Sequence, residues 1–202
     1  MDEVAWRTLA KGRCFVYLLP CRDEDTQKIG FARDPWVRMR QFHPRFQDFF
    51  SLDRGALIET DRVVDSRAIE RQLKAAFKAQ AAQAPLAIRQ AAGGKREWFR
   101  GIHARAIAAM QSHAQALGYP FHAPLEEWLR GQWMAQAEVI AEWSRKAYDV
   151  AEALHFNAAR EIGEGYERRL RNTLEQWSGI GIPLEDLLEG RALHWFRWGF
   201  DS

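Results

Sequence analysis

Cys14-Phe15-Val16-Tyr17-Leu18-Leu19-Pro20 is the run on which the reading of the fold turns. It is apolar throughout, rich in β-formers and closed by a proline, the pattern of a buried strand. A polar turn covers residues 22–26. Gln27-Lys28-Ile29-Gly30-Phe31-Ala32 is then short enough to pair back as the second strand of a hairpin. Asp34-Pro35 opens a helix, with Asp as N-cap and Pro at the first helical position. That helix runs from Trp36 to about Phe42 and stops at Pro44. Gly55-Ala56-Leu57-Ile58-Glu59 reads as a third strand.

Working outward, Val63 to about Gln83 reads as a helix, with Ile69, Leu73, Ala76 and Phe77 on one face. Lys95-Arg96-Glu97-Trp98-Phe99 is a short aromatic element, and His103 to Leu117 is a helix ended by Gly118. This order predicts an α+β fold: a small mixed domain with a three-stranded antiparallel sheet flanked by helices, over residues 1–118. Tyr119-Pro120-Phe121-His122-Ala123-Pro124 reads as a boundary. Residues 119–202 read as an all-helical C-terminal domain, its long first segment interrupted at Gly163 and Gly165. Six of the chain's tryptophans fall there: 128, 133, 143, 177, 195 and 198.

The net charge of +2 hides an asymmetry. Residues 1–118 carry 20 Lys+Arg against 13 Asp+Glu, a net +7; residues 119–202 carry 9 against 14, a net −5. The first part is a candidate for binding a polyanion; the second is not, unless its charges segregate onto one face. The two cysteines flank one strand, roughly 20 Å apart at about 3.3 Å per residue, too far for a disulfide. That pattern, with no signal peptide and no stretch of about 18 apolar residues, points to a cytoplasmic protein with no membrane contact. The cysteines and histidines show no zinc-type spacing.

The first half resembles the GIY-YIG nuclease family, and within it a phage-associated branch. Phe15-Val16-Tyr17 stands where the family has Gly-Ile-Tyr. Lys28-Ile29-Gly30 stands where it has Tyr-Ile-Gly, and the branch commonly has Lys-Ile-Gly. Arg38 lies ten residues past Lys28, where the family keeps its catalytic Arg; Glu70 lies in the helix that keeps its metal-binding Glu; Glu97-Trp98-Phe99 is similar to the close of the branch. The resemblance implies a metal-dependent endonuclease acting on DNA. Tyr17 would serve as base or nucleophile-positioning phenol, its pKa lowered by Lys28 or the metal. Arg38 would clamp a non-bridging oxygen, and Glu70 would hold one Mg²⁺ or Mn²⁺. Gly30 would let a phosphate approach the backbone, Arg40 would add a substrate contact, and His43 would assist proton transfer.

On the residues alone, other readings stand beside these. Tyr17 in an apolar strand reads as a core aromatic with its hydroxyl at the rim. Arg38 and Arg40 read as a solvated helix face, Glu70 and Lys74 as an i,i+4 pair, and His43 as a loop residue. Glu97 reads as a metal ligand or a structural group. Phe15 in place of Gly, and Phe31 after Gly30, motivate a second function: a catalytically weak DNA-binding protein that keeps the fold. The acidic, Trp-rich C-terminal part reads as a core of tryptophans, with a protein partner or self-association as its role; the resemblance implies DNA targeting as the alternative.

Overall fold

The computed structural model describes residues 12–43, 45–88, 94, 96–157 and 160–200. They divide into two compact units, Met1–Leu129 and Arg130–Ser202. Residues 119–129, which the sequence assigns to the second part, fall in the first unit.

The first unit is α+β. Its strands are β1 (Cys14–Pro20), β2 (Thr26–Ala32), β3 (Ala56–Thr60), β4 (Ala81–Ala82), β5 (Trp98–Arg100) and β6 (Phe121–His122). They form one six-stranded sheet in the order β4-β5-β2-β1-β3-β6, with every neighbouring pair antiparallel. The expected three-stranded sheet is therefore too small. Its three strands are the central ones, and three short strands extend it on both sides. The reason is length: β4 and β6 have two residues each and β5 three, too few to display an alternating pattern. The Phe121–His122 segment, read as a boundary, pairs with Ile58 and Leu57 of β3.

The helices of this unit are α1 (Pro35–Phe42), α2 (Phe46–Phe49), α3 (Val63–Ala76) and α4 (His103–Leu117). Asp34 caps α1 as expected, its carboxylate accepting from the Val37 amide at 3.0 Å. Gly118 closes α4 in the left-handed conformation, φ 70°. Helix α3 ends at Ala76, earlier than the pattern predicts, because Phe77 turns into the core and a short 3₁₀ turn follows.

Alternation along the hairpin decides which side chains meet which helices. Val16 and Leu18 of β1, Ile29 of β2 and Ala56 and Ile58 of β3 face α3 and α4, where Ile69, Leu73, Ala106, Met110 and Ala114 complete a fully buried core. Burying each large aliphatic chain of that set stabilises the unit by about 1.5–3 kcal/mol. Tyr17, Lys28 and Gly30 point to the opposite face, which α1 covers with Trp36, Met39 and Phe42.

The regular elements among the described residues of the second unit are helices. Helix α5 (Leu125–Met134) leads into it, followed by α6 (Ala137–Asn157), α7 (Arg160–Gly179), α8 (Leu184–Leu187) and α9 (Gly190–Trp198). Gly163 and Gly165 do not interrupt a helix; both lie inside α7. A Cβ on Gly163 would stand 3.3 Å from the Leu154 carbonyl oxygen, so this glycine lets α6 and α7 approach closely. Trp133, Trp177 and Trp195 are buried, Trp143 is half-buried and Trp198 is exposed. No helix among the described residues is long and apolar enough to cross a membrane.

Candidate functional site

The site grows from a register pair. Tyr17 of β1 stands opposite Gly30 of β2. A Cβ at position 30 would lie 2.3 Å from the Tyr17 Oη and 2.6 Å from its Cζ. The missing side chain therefore makes room for the phenol itself, which lies across the strand and packs edge-on against Phe42 at 6.2 Å. The space that the resemblance assigns to an approaching phosphate is taken by Tyr17.

Next to Tyr17 on the same face, Lys28 is completely buried. Its ammonium lies 4.8 Å from the centre of the Phe42 ring and 5.0 Å from that of Trp98, a cation–π sandwich. It donates to Glu97 Oε2 at 2.5 Å. Lys74 of α3 reaches the other oxygen of Glu97 at 3.2 Å and Glu70 Oε1 at 2.7 Å. Lys28, Glu97, Lys74 and Glu70 thus form a continuous chain of alternating charge at the head of β5. Burial lowers the Lys28 pKa, and the pairing with Glu97 only partly restores it. Burial alone would raise the Glu97 carboxyl, but Lys28 and Lys74 together hold it below its ordinary value.

Tyr17 senses this chain. Burial pushes its phenol well above the ordinary value; the charge and hydrogen-bonding of the Arg38 guanidinium pull it back, and the Glu97 and Glu70 carboxylates push it up further. The expected lowering by Lys28 does not occur: burial is the largest influence on the phenol and outweighs the pull of Arg38. Tyr17 is accordingly a protonated phenol at neutral pH. Arg38 itself lies one turn into α1, its Nη1 donating to Gln41 at 2.9 Å and its guanidinium 4.6 Å from the Phe42 ring centre.

Five predicted or weighed residues thus come together: Tyr17, Lys28, Arg38, Glu70 and Glu97. Three others behave differently. Gly30 serves the phenol. Arg40 is exposed two residues beyond Arg38, a spacing that puts it on another side of α1. His43 turns to the following loop, its Nδ1 accepting from the Arg45 amide at 3.1 Å and its ring stacking on Phe49 at 5.5 Å. Glu97, which the sequence left between two roles, is the hinge of the cluster. Its Glu-Trp-Phe context was the available signal. Gly94 is pressed against it, since a Cβ there would lie 2.2 Å from Glu97 Oε2.

The donor set suits a hard cation sparingly. The Glu70 side chain is 13 % exposed, and only its Oε1 carries a protein partner among the described residues. One carboxylate with a free oxygen fits Mg²⁺ or Mn²⁺ that keeps most of its waters. No trio of His, Cys, Asp and Glu gathers among the described residues, so nothing there resembles a zinc site. Three cations and two carboxylates leave the cluster net positive, a setting for a phosphate.

The fold and cluster define a small α+β domain with a cation-rich polar group against one sheet face. The chain belongs to the T5orf172 domain family, which it matches over residues 14–114, half its length; this is a phage-associated, nuclease-like domain. The match spans β1 to most of α4 and contains every member of the cluster. No curated protein matches the chain, and no solved structure does.

Proposed function

We propose that the first unit is a GIY-YIG-type endonuclease that hydrolyses DNA phosphodiester bonds with Mg²⁺ or Mn²⁺ at Glu70. The observation that supports this reading is the gathering of Tyr17, Lys28 and Arg38 around the Phe42 ring, with Lys28 joined through Glu97 and Lys74 to Glu70. Hydrolysis builds negative charge on the phosphoryl oxygens as the bond to the leaving oxygen breaks. Arg38 offers a planar fork of donors for two of those oxygens. Tyr17, kept protonated by burial, donates a hydrogen bond and orients water or phosphate beside Arg38. Lys28 is a fixed charge behind Glu97, and Glu97 in turn holds Lys74 beside Glu70. A bound divalent cation would supply charge stabilisation and acidify a water. The net +7 of residues 1–118 supports DNA as the partner. The exposed Phe156 and Trp198 of the helical unit support a protein partner or a second copy for that part.

The second reading, a DNA-binding protein that does not cut, is favoured by one observation: the phenol fills the face of Gly30 that a phosphate would use. Plasmid nicking by the full chain separates the two readings, run with Mg²⁺ or Mn²⁺ and with chelator, beside Arg38→Ala and Glu70→Ala. The expected result is metal-dependent nicking that falls about 10²-fold or more in each variant. Equal cutting by all three proteins removes the assignment. Binding without cutting moves the function to the second reading.

A further inference from the structure

Helix α3 carries Arg67, Arg71 and Lys74 at positions i, i+4 and i+7, a stripe confined to about 60° of its circumference. Two observed contacts fix where the stripe runs. Its start lies over the end of β2, where the Arg67 guanidinium stands 5.5 Å from the centre of the Phe31 ring. Its end is Lys74, bonded to Glu70 and Glu97. The stripe therefore runs from the end of β2 to the Lys74–Glu70–Glu97 side of the cluster.

Arg67 and Arg71 are exposed, and neither forms an ion pair among the described residues. The two acids of α3 are paired with other groups. Asp65 is taken by Arg62 at 3.0 Å and by the Tyr119 hydroxyl at 2.6 Å, and Glu70 by Lys74. Like charges one turn apart on a helix repel and destabilise it. An exposed pair of like charges without a partner carboxylate among the described residues, one of them lying over Phe31, is a surface suited to an anion. Nucleic-acid backbone has the matching chemistry, a row of negative charges along a line.

We infer that Arg67 and Arg71 bind successive backbone phosphates of DNA and guide one strand along α3 to the cluster. This rests on the reading of the first unit as a DNA-acting domain and names the path by which the substrate arrives. Arg67 sits on Phe31, so the residue that departs from the family pattern after Gly30 supports a DNA contact from below. The recognition is of phosphate and carries no base preference.

The test is the salt dependence of binding. Fluorescence anisotropy of a labelled duplex is followed in chelator with the full chain, its Arg67→Gln/Arg71→Gln double variant and a Lys146→Gln control, whose lysine is paired with Glu142 in the second unit. Each lost phosphate contact flattens the slope of log K against log salt by about 0.9, so the double variant is expected to be shallower by about 1.8. Raising salt from about 50 to 200 mM then costs the unaltered protein about 12-fold more affinity than the double variant. The control keeps the full slope. An unchanged slope in the double variant overturns the path while leaving the nuclease reading standing. No binding by the unaltered chain at the lower salt overturns both.

Discussion

Gly30→Ala is the smallest change that strikes the site. The added Cβ would stand 2.3, 2.6 and 2.9 Å from the Oη, Cζ and Cε2 of Tyr17. All three distances are below any normal contact, so the ring must move by about 1 Å or more to reach van der Waals separation. It has little room, being 2 % exposed and packed against Phe42. Overpacking of this kind costs about 1–3 kcal/mol. The same substitution made on a Tyr17→Ala background meets no ring. There it should be neutral or slightly favourable, since glycine weakens a strand interior. A double-mutant cycle should therefore return a coupling of about 1–3 kcal/mol between the two positions. Hydrogen exchange of the β1 and β2 amides in the full chain reads the stability of the first unit without interference from the second. Equal costs for Gly30→Ala in both backgrounds would refute the claim that this glycine exists to seat the phenol.

The buried ion pair predicts an asymmetry. Glu97→Gln removes the carboxylate to which the fully buried Lys28 donates, which should cost about 3–5 kcal/mol, whereas Lys28→Met leaves Glu97 with Lys74 and partial exposure and should cost clearly less. Urea denaturation of the two variants compares them, and a reversed order would contradict the geometry. The pH response follows from the same pair. The folded Glu97 pKa is depressed, so its stabilisation is present above the unfolded carboxyl value, about 4.3, and is lost as pH falls through the folded value. Unfolding midpoints below about pH 4.3 should therefore fall less steeply in Glu97→Gln than in the unaltered chain; parallel curves would contradict this.

Much of the first unit was legible because its main elements are long enough to show a period. β1, β2, β3, α1 and α4 come from short β-former-rich runs, the Asp34-Pro35 start and the Gly118 stop. The flanking strands were not legible as strands, since two or three residues such as Ala81-Ala82 or Phe121-His122 pair only because a longer neighbour presents an open edge. Gly163 misled for a related reason. Glycine in a helix usually signals a break, and only the approach of Leu154 reveals that it serves packing. At the site, the grouping of Tyr17, Lys28, Arg38 and Glu70 was suggested by the family resemblance; on the residues alone Tyr17 read as a core aromatic, Arg38 as part of a solvated helix face and Glu70 as half of an i,i+4 pair. The central place of Glu97 was not legible, because its partners lie 69 and 23 residues away in the chain and meet it only through tertiary folding. The raised phenol pKa of Tyr17 was equally hidden, since desolvation depends on how completely α1 covers the sheet.

The sharpest trial is a kinetic cycle at Arg38 and Glu70, using single-turnover cleavage of a DNA duplex with Mn²⁺. If the guanidinium and the carboxylate serve one phosphoryl group, each single alanine variant is slowed by about 10²-fold or more, and the double variant is scarcely slower than the worse single one. Losses that simply multiply, or rates that match the unaltered protein, would mean that the two side chains do not act on the same reacting group.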